Sequence, residues 1–280
     1  MAGALLQGSV TQEPVTRVRL GDGGAAPRID HRDDAIAVEE PLEIRIDGQS
    51  WSITMRTPGD DLDLVAGFLV GEGVITERAH LASLGQVAGA IFGNTVNAEL
   101  APGATPPADA AARHSVMTSA CGICGTESID AIEKDARWSL NSDETVVTPE
   151  VLAELPDRLR AAQAVFDETG GVHAAGIFRA DGELLVVRED VGRHNAVDKA
   201  VGWALQQDLL PLRGTVLQVS GRASFELVQK ARLAGIPMLA AVGAPSSLSR
   251  DLAERSGLTL VGFSRGRGFT VYTHPERVAL

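Results

Sequence analysis

Cysteine is scarce in this chain. Its 280 residues hold two, Cys121 and Cys124, and none follows Cys124. Zinc wants four ligands, so this pair could supply only half of a four-cysteine site, and His114 nearby would make three. Cationic excess is also missing: 25 Lys and Arg stand against 37 Asp and Glu, a net charge of −12. Phosphate-rich surfaces would be repelled, which argues against general nucleic-acid or anionic-membrane binding. Long apolar runs are missing too. The stretch Leu233–Ser249 is uncharged but broken by Pro237 and Pro245, and is too mixed to span a bilayer. The opening Met1–Gln7 lacks the basic segment of a secretion signal. The expectation is a cytoplasmic protein with no membrane or nucleic-acid partner, and in a reducing compartment two cysteines do not make a structural disulfide. Any anionic ligand must be held by a local basic patch.

Both thiols sit in Ser119-Ala120-Cys121-Gly122-Ile123-Cys124-Gly125-Thr126-Glu127, each followed by glycine. Glycine leaves the sulfur uncovered and the backbone free to move. Thr126–Arg137 reads as a helix, with Ile129 and Ile132 on one face and Glu127 in its first turn. The cysteines would then precede a helix N-terminus, whose amides favour a thiolate. Three readings stay open at this point: two buried small side chains, half of a zinc site shared with a partner subunit, or a reactive thiol pair serving redox or sulfur-carrier chemistry. A thioredoxin-like placement, just after the first strand of a βαβ unit, does not apply to a motif near the middle of the chain.

The length suits two domains or one large one. Residues 1–33 read as a mobile arm with one short strand at Val15–Leu20. Residues 34–145 read as a β-rich region carrying the cysteine loop. Its strands fall at Ala35–Val38, Leu42–Asp47 and Trp51–Arg56, the last two joined at Asp47-Gly48. A helix follows over Asp61–Val70, and further strands are expected at Val87–Phe92 and Thr95–Leu100. Pro149 opens a helix to Phe166 that should bend at Pro156.

Residues 146–280 then alternate. Strands are expected at Val172–Phe178, Leu184–Arg188, Thr215–Val219, Met238–Val242, Leu258–Phe263 and Phe269–Thr273, with helices at Asn195–Leu205, Phe225–Ala234 and Leu248–Ser256. That alternation predicts a three-layer α/β domain with a partly parallel sheet.

Strand-to-helix junctions in such a sheet line a crevice at the carboxyl ends of its strands. Ser220-Gly221-Arg222 and Gly243-Ala244-Pro245-Ser246-Ser247 are two of them, suited either to a phosphate or to plain helix capping. Glu189-Asp190-Val191-Gly192-Arg193-His194-Asn195 is a third, dense in polar groups. His173 lies in an otherwise apolar strand and reads equally as a satisfied core group. The turn Phe263-Ser264-Arg265-Gly266-Arg267-Gly268 combines exposed amides with guanidiniums and could hold a nucleotide's phosphates. It lies in a tail with five arginines (250, 255, 265, 267 and 277) against Asp251, Glu254 and Glu276.

Several of these stretches, taken together with Thr57-Pro58-Gly59-Asp60-Asp61, Gly67-Phe68-Leu69, Gly171-Val172-His173-Ala174-Ala175, the run on to Asp198-Lys199, and Tyr272-Thr273-His274-Pro275, resemble the FdhD family of formate dehydrogenase accessory sulfurtransferases over residues 30–278. The resemblance implies a sulfur carrier that takes persulfide sulfur from a cysteine desulfurase. It would pass that sulfur to the molybdenum cofactor, bis-molybdopterin guanine dinucleotide, a bound acceptor and not a permanent cofactor, for a formate dehydrogenase client. It carries the persulfide onto Cys121, with Cys124 assisting, and the cofactor's guanine nucleotide onto Phe263–Gly268. With the junction residues Ser220, Gly221, Arg222 and His194 these complete the expected site, which has no metal. It also implies a homodimer and a cytidine deaminase-like fold for residues 146–280. Deaminase chemistry itself is not expected: His173 is followed by Ala174 and Ala175 in place of the His-x-Glu pair, and the later Cys-x-x-Cys is missing. Two other classes remain: a non-catalytic cofactor-binding chaperone whose cysteines bind metal or pack, and a dithiol oxidoreductase.

Overall fold

The computed structural model describes residues 8–22, 26–89, 93–104, 116–117 and 134–280. Thirteen strands and six α-helices follow one another among them. They are β1 (Val10–Arg19), β2 (Arg28–Ala37), β3 (Glu40–Ile46), β4 (Gln49–Arg56), α1 (Asp61–Gly71), β5 (Leu81–Gln86), β6 (Thr95–Leu100), β7 (Val116–Met117), α2 (Pro149–Ala161), α3 (Ala164–Thr169), β8 (His173–Arg179), β9 (Leu184–Asp190), α4 (Arg193–Gln206), β10 (Thr215–Val219), α5 (Phe225–Leu233), β11 (Met238–Ala241), α6 (Ser247–Ser256), β12 (Thr259–Arg265) and β13 (Gly268–Thr273).

A six-stranded sheet runs in the order β13-β12-β11-β10-β8-β9. Its centre, β10-β11-β12, is parallel, and β8, β9 and β13 are antiparallel to their neighbours. Apolar side chains cover both faces, as parallel strands require. On one face α2 buries Leu152, Leu155 and Leu159 against Phe178, Val216, Met238 and Val261. On the other, α4, α5 and α6 and the N-terminal elements share one continuous core that runs from Leu42 to Leu260. The three-layer expectation for the second half therefore holds.

The N-terminal sheet, β5-β6-β3-β4-β7, joins that core through α1. The hairpin signal at Asp47-Gly48 is met: both residues have positive φ (50° and 79°), as the tight two-residue turn demands. Helices α1 and α4 cross at glycine. A Cβ on Gly67 would overlap the Asp198 carbonyl, and one on Gly202 would overlap the Asp63 carbonyl.

Three expectations differ from what is found. Residues 10–19 are not irregular: they pair in register with 28–37 as a two-stranded antiparallel ribbon, whose residues are mostly exposed. A strand lies at Leu81–Gln86, ahead of the one expected at Val87–Phe92, of which Val87–Gly89 are not strand and 90–92 lie outside the described residues. The helix beginning at Pro149 breaks at Ala162–Gln163, and Pro156 is held inside α2. Proline brings no N–H for the carbonyl four residues back, Leu152 O. Ser264 Oγ supplies the donor instead, 3.5 Å away.

Candidate functional site

Antiparallel pairing brings the start of β8 to the same edge of the sheet as the carboxyl ends of β9, β10, β11 and β12. His173 pairs with Asp190, and Ala175 with Val219. The junctions singled out in the sequence therefore converge at one end of the sheet. Beside them lies a cavity of about 540 Å³, bounded by His173, Ser220, Val242, Arg265 and Gly266, with Arg160 and Phe166 closing it from α2 and α3.

The junctions are held from beneath. Asp190 and Lys199 form a buried ion pair at 2.8 Å. Asp190 also accepts from the amides of Thr57 (3.1 Å) and Gly192 (2.8 Å), and Lys199 donates to Thr57 O at 2.8 Å. Asn195 Nδ2 donates to Met55 O at 2.7 Å. The Thr57-Pro58-Gly59-Asp60 turn thus clamps the loop after β9 and fixes where α4 begins.

His173 Nδ1 lies 3.4 Å from Ser220 Oγ, which also accepts from Ala174 N at 2.9 Å. Burial lowers the His173 pKa below its usual value, and the nearby charges of Arg193 and His194 push the same way against a weaker pull from Asp190. His173 is therefore a neutral imidazole at neutral pH. Arg222 is exposed and packs over Gly243. Arg193 lies beside His173, and its Nε is buried without a hydrogen-bond partner. Among the described residues neither arginine has an acidic partner.

The expected ligand residues separate by position. Ser220, Arg265 and Gly266 border the cavity. Phe263 is 41% exposed in a left-handed conformation (φ 52°), with the Arg265 guanidinium 5.9 Å from its ring centre. Ser264 is fully buried on the α2 side. Arg267 borders a neighbouring cavity of about 410 Å³ whose other walls carry Glu154 and Asp157. His194 faces α5: its Nε2 meets Glu226 Oε2 at 2.8 Å and Ser224 Oγ at 3.4 Å. Sequence reasoning missed Arg160 and Phe166, which reach the cavity only through tertiary packing, and left Arg193 inside a motif without a role.

Cys121, Cys124 and His114 lie outside the described residues, as does most of the helix expected over Thr126–Arg137. Lys134–Arg137, which are described, are not helical. The borders of the cysteine segment are placed. Met117 pairs with Thr54 at the edge of β4, and Thr54 Oγ1 lies 3.4 Å from Asn195 Oδ1. Lys134 donates its amide to Gln229 Oε1 at 3.1 Å and its Nζ to Glu72 Oε2 at 2.5 Å. Among the described residues no group of three or more His, Cys, Asp or Glu could hold a metal, and no helix is long and apolar enough to cross a membrane.

Fold and site together define a mixed α/β protein with a polar crevice, bordered by Arg160, Arg265 and Asp157, at the strand ends of its main sheet. The chain belongs to the FdhD/NarQ family, whose model matches residues 37–279. It is 56% identical over 269 residues to the sulfur carrier protein FdhD of Streptomyces coelicolor, covering 94% of each chain. It is 43% identical over 248 residues to the protein of the same name from Sulfolobus acidocaldarius, covering 89% of this chain and 92% of that one. Its fold is shared with a crystal structure from Desulfotalea psychrophila described as a formate dehydrogenase accessory protein. That match has a TM-score of 0.73 at 24% identity, over 95% of this chain and 99% of the other.

Proposed function

We propose that this chain is a sulfur carrier that moves sulfur from a cysteine desulfurase to the molybdenum cofactor of a formate dehydrogenase. Cys121 is the carrier. Its thiolate attacks the outer sulfur of the donor's persulfide, a new S–S bond forms on Cys121, and the donor cysteine leaves as a thiolate. On delivery the S–S bond on Cys121 breaks, the outer sulfur passes to the acceptor, which supplies the two electrons that make it sulfide, and Cys121 returns to a thiolate, with Cys124 assisting in the same loop. The acceptor, bis-molybdopterin guanine dinucleotide, is cargo. Its nucleotide part belongs in the crevice at Ser220, Gly221, Arg222, Phe263, Arg265 and Gly266, with Arg267 and Gly268 continuing the turn beside the neighbouring cavity. Ser264 and His194 support that site from behind.

The observation that carries this reading is the cavity at the strand ends. It places Arg265 and Arg160, the latter ion-paired with Asp167, together with Ser220, His173 and Asp157 in a protein of net charge −12, and Arg265, unpaired among the described residues, marks where an anionic nucleotide would be held. The names of the relatives at 43–56% identity point the same way. A further support is chain connectivity: three residues separate Cys121 from Met117, which pairs with Thr54. We assign the carrier loop to a part spanning 34–145 and the cofactor crevice to one spanning 146–280, working as a cytoplasmic homodimer.

The test is intact-protein mass spectrometry after incubation with a cysteine desulfurase and cysteine. Wild type should gain the mass of one sulfur atom, and Cys121→Ser should not. No gain in wild type would move the assignment to a cofactor-binding chaperone. A gain that survives Cys121→Ser but not Cys124→Ser would exchange the roles of the two thiols.

A further inference from the structure

Arg193 has one buried guanidinium nitrogen, Nε, without a partner among the described residues. It has no acidic partner among them, and it opens α4, whose N-cap Gly192 provides no side-chain cap. A buried guanidinium nitrogen without a partner is costly, and such a group signals a missing ligand or water. Its neighbours show which ligand fits. The His173 ring and the Arg193 side chain flank Gly221, where an added Cβ would lie 3.6 Å from His173 Nδ1 and 3.9 Å from Arg193 Cδ. Those are ordinary contacts and Gly221 is not in a left-handed conformation, so packing does not demand glycine there. What glycine does is leave open the space between the imidazole and the Cδ of Arg193, next to the guanidinium. Ser220 Oγ lies at the edge of that space, 3.4 Å from His173 Nδ1, and Arg222 follows it with no acidic partner.

We infer that Arg193, His173 and Ser220 around Gly221 form a seat for one tetrahedral oxyanion, a phosphate group, at the edge of the main cavity. The guanidinium fork matches a phosphate's geometry and charge. The positive end of α4 adds to it. His173 fits the same picture: burial first, and then the charges of Arg193 and His194 against Asp190, lower its pKa, and a phosphate beside it would act in the opposite direction. In the setting of the proposed function the occupant is a phosphate of the cofactor's nucleotide. The seat rests on that reading for its natural ligand but not for its chemistry.

The experiment measures binding of guanosine diphosphate and of inorganic pyrophosphate by calorimetry to wild type, Arg193→Gln and Gly221→Ala, and follows the His173 imidazole by NMR titration with and without pyrophosphate. Both probes should bind wild type, and Arg193→Gln should weaken both by about tenfold or more, the usual loss of a charged hydrogen bond. Gly221→Ala fills the seat without removing a charge and should do the same. Pyrophosphate should move the wild-type His173 titration upward, a readout that needs no variant. Nucleotide binding that ignores both substitutions, or a His173 titration unmoved by pyrophosphate, overturns the seat and leaves the nucleotide reading standing. Pyrophosphate binding that depends on Arg193, with no binding of guanosine diphosphate, keeps the seat and sinks the nucleotide reading.

Discussion

Lys199 Nζ sits 2.8 Å from Asp190 Oδ2, with the two side chains 2% and 0% exposed. The pair does not stand alone, because Thr57 contributes its carbonyl to the lysine and its amide to the aspartate. One buried salt bridge therefore fastens the turn after β4 to the junction after β9. Removing one partner of such a pair strands the other charge in a dry interior, which costs about 3–5 kcal/mol. Lys199→Met should lower the unfolding free energy by that amount in urea denaturation. Combining it with Asp190→Asn should recover part of the loss. A loss below about 1 kcal/mol for the single variant would show that Asp190 finds water or another partner.

Gly202→Ala should be among the most damaging small substitutions in the chain. The new methyl overlaps backbone, the Asp63 carbonyl, so no rotamer change relieves it and α1 and α4 must separate. Overpacking usually costs about 1–3 kcal/mol, and a backbone clash belongs at or above the top of that range. Gly85→Ala, with nothing within 4 Å of the added methyl, is the control. Thermal unfolding of the two variants should show a large drop for the first and little change for the second.

The second half of the chain was legible because its strands are short, apolar and bounded by glycine, proline and serine. Thr215–Val219 falls where the pattern puts it, and the helices at Arg193–Gln206, Phe225–Leu233 and Ser247–Ser256 lie within two residues of expectation. The β1–β2 ribbon was legible only in part: the strands expected at Val15–Leu20 and Ala35–Val38 overlap one end of β1 and of β2, and their pairing was missed. Its exposed strands carry charges such as Arg17, Arg19, Asp30 and Arg32, so no apolar face repeats every second residue. In the crevice, Ser220, Arg265 and Gly266 could be read from junction chemistry. Arg160 and Phe166 could not, since only the packing of α2 and α3 against the sheet edge brings them there. Ser264 was misleading for the opposite reason: its place in an arginine–glycine turn hides the fact that its hydroxyl serves a helix.

Stability should fall as pH drops below the usual histidine range, and His173 should account for part of that fall. Burial, Arg193 and His194 depress its pKa in the folded state, with Asp190 opposing. The sign follows: between the ordinary value of 6.5 and the lower folded value, the unfolded chain takes up a proton that the folded chain refuses. Stability from this group is complete above 6.5 and is lost as the pH falls through the folded value. Asp63, Glu189 and Asp198, whose carboxyls burial pushes upward, act in the other direction. They are unchanged in His173→Asn, so the difference between the two proteins isolates the histidine. Urea midpoints measured from pH 7.5 to 5 should fall less steeply for His173→Asn than for wild type. Parallel curves would mean that His173 titrates like a solvated side chain.

The segment Phe263–Gly268, which spans the end of β12 and the start of β13, should divide into a structural and a ligand-facing half. Ser264 Oγ donates to the Leu152 carbonyl that Pro156 leaves without an amide. Ser264→Ala leaves that carbonyl unpaired under α2 and should cost about 1 kcal/mol, the low end for a long bond. It should leave nucleotide affinity unchanged. Pro156→Ala restores the missing N–H within α2, so in that background Ser264→Ala should cost much less, a coupling that denaturation of the four proteins in a double-mutant cycle would read directly. Arg265→Ala should do the converse. Arg265 borders the cavity and is held by no ion pair among the described residues, so its loss should weaken guanosine diphosphate binding by about tenfold with little effect on unfolding. If Ser264→Ala alone abolished nucleotide binding, the turn would act as one rigid unit whose shape depends on its anchor to α2.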